Sequence, residues 1–428
     1  MRVASAVAIA LATLSGCRDG GGGSAPPPAA EAGAPAPATS QAAGPSRGPR
    51  TTSPAIALQN LDAQIRGAEE LAAREGAGVA RQATLVSLLL DRGTFLGRFA
   101  DLERALDVAE GAVKGAPAQP KALALRAKAR AALHHFREAL DDLAKAEALG
   151  EPPGALEGAR AAILEALGRY DEALPLRRKA REAWANVSSL GTEAALAGEM
   201  GQTAEAERLF GEALKAYREV SPFPAAWLSF QHGMMWERAG ELDRARQLYE
   251  DAHARLPLYA HAAAHLAALS PPSRAVEILG PIVESSDDPQ YAAQLAEATR
   301  LAGAGDGAAL LERARARFEE LEKLHPEAVA DHAGWFWLGP GKDPARALAL
   351  AQKNADARPT AAAYELLVEA ATRGGKTDAA CGAAERALGL RYPTPKLRDG
   401  AARALDVCGK PDQAAAARGR AAEGSKEP

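Results

Sequence analysis

His261 and His265, four residues apart in the segment HAAAH, are the pair in this chain best spaced for chemistry. On a helix that spacing puts both imidazoles on one face, where they can share a metal ion. The glutamate of a hydrolytic zinc motif is missing, because Ala262 stands in its place, and no third ligand lies nearby in the sequence. A metal-binding or metal-carrying role through His261 and His265 is therefore one reading, and histidines on a helix face without a ligand are the other. Phosphate chemistry has less support. GAGDG at 303–307 lacks the third-glycine spacing of a dinucleotide loop and follows a helical segment. GPGKDP at 339–344 has a Gly-Lys pair without the upstream glycine or the Ser/Thr of a phosphate loop. Both read as turns between helices. The adjacent His134 and His135 fall at another turn, and no Cys-x-x-Cys pair occurs. These patterns predict no catalytic residue and no cofactor.

The elements that must carry such residues are helical. Beyond about residue 54 the chain is rich in alanine, leucine, arginine and glutamate, strong helix formers, and poor in β-branched and aromatic residues. No later run is long and apolar enough for a membrane helix. With 51 basic against 55 acidic residues and a net charge of −4, the chain offers no basic stripe to a polyanion, so no nucleic-acid partner is expected.

A fixed period organises these helices. FREALDDLAKA from Phe136 is answered by YDEALPLRRKA from Tyr170, which puts Ala139 and Ala173 in register, 34 residues apart. The same step back reaches Ala105, and a step of 33 forward reaches Ala206. The clearest copy, from Ala226 to Pro257, carries Gly233, Trp236, Gly240, Leu242, Ala245, Tyr249, Ala252 and Pro257. It resembles the tetratricopeptide repeat in its order of small and aromatic residues and its terminal proline. Gly233 and Ala245 let two helices approach, Trp236 and Tyr249 fill the space between them, Gly240 makes the turn and Pro257 ends the second helix. Further copies centre on Ala275, Ala309, Ala347, Ala380 and Ala414, with SPPS at 270–273 replacing the usual turn. One such pair cannot bury its own apolar face, so copies must stack. The expectation is an all-α superhelix of about ten helix-turn-helix repeats over 55–422, with a short tail at 423–428.

The resemblance implies a concave wall built from the first helix of each unit. In the clear copy its positions are Trp227, Phe230, Met234 and Glu237; in the copy from Ala328 they are Val329, His332, Phe336 and Gly339. Tyr291 and Gln294 fall similarly between them, as does His261 when its helix is counted from Pro257. The set is apolar and aromatic where a solvated wall would be polar, which predicts a groove for a protein or peptide partner. The competing reading places the same side chains in the core between helices. The Lys/Asn pairs of chaperone-tail clamps are absent, since the unit from Pro120 offers Ala124 and Lys128 and the next offers Ala155 and Ala159. In the same register Cys381 opens the second helix of one unit and Cys408 ends the first helix of the next. The two thiols then lie at similar height, as a disulfide or as two small core residues.

The segment ahead of the array has a different character. Met1 and Arg2 precede a largely apolar run from Val3 to Leu14, too short to span a bilayer and proportioned like a secretory signal. The run closes on LSGC at 14–17, which resembles a bacterial lipobox. That resemblance implies cleavage after residue 16, acylation of Cys17 and retention on a membrane surface, where several acyl chains anchor stably. Arg18 stands where an inner-membrane retention aspartate would be, which points to the periplasmic face of the outer membrane. From 17 to 54 the chain is mostly Gly, Ala, Pro and Ser and is expected to be a disordered tether. Read as a flexible coil, it reaches on the order of 35 Å.

Overall fold

The computed structural model describes residues 49–74 and 78–424, with side chains in the last helix described as far as 419. The signal segment, Cys17 and the tether up to residue 48 lie outside the described residues, as do 425–428 of the tail.

Among the described residues there are 21 α-helices, no strand, and no helix long and apolar enough to cross a membrane. After α1 (Pro54–Ala72) the helices pack as ten consecutive antiparallel pairs, from α2 (Val79–Leu96) with α3 (Phe99–Gly115) to α20 (Pro395–Val407) with α21 (Pro411–Gly424). The architecture is an all-α array of stacked helix pairs. Local reasons for the boundaries are plain in the sequence. Ten of these helices, α14 (Pro289–Leu301) among them, have proline in the first turn, where its fixed φ suits a helix and its missing N–H loses nothing. One of these is α13 (Pro272–Ser285), which is how SPPS replaces a glycine turn: Pro271 caps the helix and Pro272 starts it.

The period is set by close packing of a small residue in each second helix. Ala105, Ala139, Ala173, Ala206, Ala245, Ala275, Ala347, Ala380 and Ala414 are all buried. The exception is α15 (Ala308–Leu324), where Ala309 is exposed and Ala314 is buried instead. The longer GAGDG turn shifts the register there by five residues. In the clear copy, α10 (Pro222–Ala239) and α11 (Leu242–Arg255) cross at Gly233, where a Cβ would stand 2.5 Å from the Tyr249 ring. Trp236 behaves differently from expectation. It is only half-buried, on the outside of the pair, with the Arg244 guanidinium 4.3 Å above its ring.

The array winds tightly enough for its first half to touch its second. The α2–α3 turn meets the segment before α14: the Phe99 and Ala100 amides donate to Asp287 at 2.6 and 3.1 Å. The next turn meets α16 (Pro326–Leu338), where His134 Nδ1 lies 3.2 Å from the Glu327 carbonyl. One unit further, Arg358 donates to the Ala166 carbonyl at 3.1 Å, and Arg391 and Tyr392 donate to Asp171 at 2.5 and 2.9 Å. These contacts join residues between 187 and 221 positions apart, about six 34-residue units. They form a continuous seam along the inside of the superhelix. Residues 49–53, placed in the tether by composition, also lie against the array: Thr52 N–H donates to Val220 at 2.6 Å, and Arg255 donates to the Pro49 carbonyl at 3.0 Å.

Candidate functional site

The seam decides which concave positions remain open. Trp227, Phe230, Met234, Tyr291 and Phe336 are 6, 1, 2, 0 and 4% exposed, so the aromatic wall expected from the register is present but covered over most of its length. The groove reading is corrected for the first four. Phe230 packs edge-on to Tyr259 with ring centroids 5.1 Å apart, and Phe95, brought in by α2, meets Tyr259 from the other side at 4.9 Å. Trp227 packs in a cluster with Leu190 and Phe210. Tyr291 lies under the α2–α3 turn. Gly97 is required there twice over, by its φ of 63° and because a Cβ would stand 2.6 Å from the Tyr291 ring.

Glu237, assigned to the wall from the sequence, is the centre of a buried polar group. It accepts the Tyr249 hydroxyl at 2.6 Å and pairs with His265 Nδ1 at 2.7 Å. His261 turns to a different partner, with Nδ1 3.2 Å from the Tyr291 hydroxyl. Burial pushes its imidazole down to about 3, with His332 and His265 adding to the effect. The two histidines of HAAAH therefore serve separate contacts, and no group of three or more His, Cys, Asp or Glu among the described residues is arranged to hold a metal ion. The metal-carrying reading finds no geometry here.

Beyond the covered stretch the concave face opens into a cleft of about 480 Å³ between α14, α16 and α18 (Ala361–Arg373). Gln294, His332, Phe336 and Gly339, all assigned to the wall from the sequence, line it; Val329 is buried behind. Phe336 packs on Phe318 with centroids 4.9 Å apart, and Trp335 completes an aromatic side. Charged side chains line the cleft from the two neighbouring helices, α14 and α18. Glu297 accepts two bonds from Arg300, at 2.7 and 3.0 Å, and Arg373 donates to the Leu338 carbonyl at 3.0 Å beside Glu369. The Gln294 Oε1 is buried without a hydrogen-bond partner. Glu369 was within reach of the sequence, because stepping the same register one unit on, from Ala361, lands on it. Trp335 and Phe318 were not, because they enter beside the wall positions.

Cys381, in α19 (Thr377–Leu388), and Cys408, at the end of α20, are joined by a disulfide with Cα atoms 5.9 Å apart. Both are half-buried, outside the core. The bond closes a separation of 27 residues, worth on the order of 3 kcal/mol to the last units on the loop-entropy account. Thiol labelling of denatured protein prepared without reductant should leave both cysteines unmodified. Reduction should lower the unfolding midpoint of the C-terminal units first.

Superposition on solved structures gives low likenesses over most of the chain. They include the human IFIT1 dimer with PPP-AAAA (16% identity, covering 87% of this chain and 79% of that one, TM-score 0.40), the APC/C hetero-tetramer Cut9-Hcn1 (13%, 87% and 92%, 0.41) and the yeast Tom70 (14%, 87% and 90%, 0.33). No protein-family model and no curated protein matches the chain.

Proposed function

We propose that this chain is a lipid-anchored interaction scaffold of the tetratricopeptide kind at a bacterial cell envelope, without catalysis of its own, and that it holds a protein partner through a short peptide segment. The carrying observation is the cleft on the open part of the concave face, aromatic along α16 and charged on α14 and α18. Its volume of about 480 Å³ has room for a few side chains but not for a whole helix, which is 10–12 Å across with its side chains. The occupant is therefore an extended segment with an apolar anchor on Phe336 and Trp335 and polar flanks on the rim. Acylation of Cys17 would keep the array on the periplasmic face of the outer membrane. The Cys381–Cys408 bond supports an oxidising compartment.

The test places a photo-crosslinking residue at Trp335 inside the cleft or at the exposed Glu312 outside it, in whole envelopes, with Cys17 intact or changed to Ser. The expected result is a discrete protein adduct from position 335 that is missing from position 312, with Cys17→Ser protein leaving the membrane fraction. Adducts of equal yield from both positions would sink the cleft. Retention of Cys17→Ser in the membrane would sink the anchor.

A further inference from the structure

Five residues ahead of the buried alanine, the chain turns through the left-handed region in seven units. Glycine serves at 168, 201, 240, 375 and 409, whereas Lys342 (φ 56°) and His134 (φ 60°) serve in the other two. A side chain there is strained where glycine is not, so a histidine at this turn needs another reason. His134 has one, because it bridges the two halves of the array. Its Nδ1 lies 3.2 Å from the Arg358 guanidinium and 3.2 Å from the Glu327 carbonyl, and its ring stacks on Phe136. Arg358 can donate only to an unprotonated Nδ1. Beside it on the same seam, the His135 ring is 5.7 Å from that of His325, whose Nε2 is 3.1 Å from Glu103.

We infer that the seam is an acid-released latch over the aromatic wall: protonation of His134 and His135 parts the two halves and uncovers Tyr259 and Tyr291, now lying under the α2–α3 turn. The inference is independent of the cleft. The charges facing each imidazole set the direction. For His134, burial, Arg358 and His332 oppose the cation while Asp331 and the Glu327 carbonyl favour it, and the balance holds it at about 3. For His135, burial, His325 and Arg130 oppose the cation against Glu138 and Glu110, which also lowers it. The Glu327 carboxyl, lifted by burial and by Glu138 against Arg137 and Arg358, adds no cation. An imidazole held below its ordinary value of 6.5 in the closed seam favours closure above that pH. This contribution is lost progressively as pH falls from 6.5 towards 3.

The Phe99 and Ala100 amides, which donate to Asp287 across the seam, report its closure directly by hydrogen exchange corrected for the intrinsic pH dependence. Between pH 7.5 and 5.5 their protection is expected to fall about tenfold, a pH unit's worth of one imidazole, while amides inside α10 keep theirs. The double variant His134→Gln, His135→Gln should hold its protection constant over that range. Should it not fold, His134→Gly, which relieves the turn and removes the imidazole, takes its place and should show a smaller fall than wild type. Unchanged protection in wild type overturns the latch, as does a fall of equal size in the variants or a parallel loss inside α10.

Discussion

Replacing Gly233 with valine should destabilise the array by about 3 kcal/mol, the upper end of what overpacking of a tight core brings. The first atom added at this position would stand 2.5 and 2.8 Å from two carbons of the Tyr249 ring. That ring has nowhere to go. It is fully buried, its hydroxyl is held by Glu237, and Phe230 and His265 flank it with centroids 5.8 and 5.3 Å away. Gly211 in α9 (Thr203–Ala216) is the control, since a Cβ there meets nothing within 4 Å. Gly211→Ala should raise stability by roughly 0.5–1 kcal/mol through helix propensity alone. Urea unfolding of the two variants separates the cases. Similar midpoints would mean that the helix crossing at Gly233 is looser than its geometry.

The second large effect is expected at low pH. Burial would raise the Glu237 carboxyl, but the charge and hydrogen bond of His265 and the Tyr249 hydroxyl outweigh it and hold the group at about 2. A carboxylate with a depressed value contributes stability that is fully present above its ordinary 4.5 and disappears as pH falls towards 2. The shift corresponds to on the order of 3 kcal/mol at neutral pH. Glu237→Gln should therefore lose most of that at pH 7 and show a flatter stability profile between pH 4.5 and 2. A variant whose profile runs parallel to wild type would show that other carboxylates govern the acid limb.

The repeat was legible in the sequence because what produces it is local. A small residue opposite a turn, spaced by two helix lengths, is the whole requirement for one pair to pack, and Ala105, Ala139 and Ala173 carry it without reference to the rest of the chain. The register failed only in α15, where a longer turn moved the buried residue from Ala309 to Ala314. The binding wall was legible in part for a different reason. Its residue types follow from the register, but its exposure depends on how tightly the superhelix winds and on what reaches across it. Phe336 and His332 stayed open to the cleft, while Phe230 was closed over by Tyr259, on which Phe95 packs, and Tyr291 by Gly97, nearly two hundred positions away. No local pattern reports such a contact. His134 and His135 looked like ordinary turn residues for the same cause, since Arg358 and His325 become their neighbours only after the array has wound.

The seam also changes how the molecule would respond to load. A plain stack of repeats is a soft spring: each unit touches only its neighbours, so tension between the two ends stretches it a little at every joint and peels it one unit at a time. Here the joints are bypassed by bonds between units about six places apart, and any extension of the coil shears Asp287 from the Phe99 amide and Asp171 from Arg391 together. Under pulling, the array should stay stiff up to a threshold, give way along the whole seam in one step, and only then lengthen as a compliant coil.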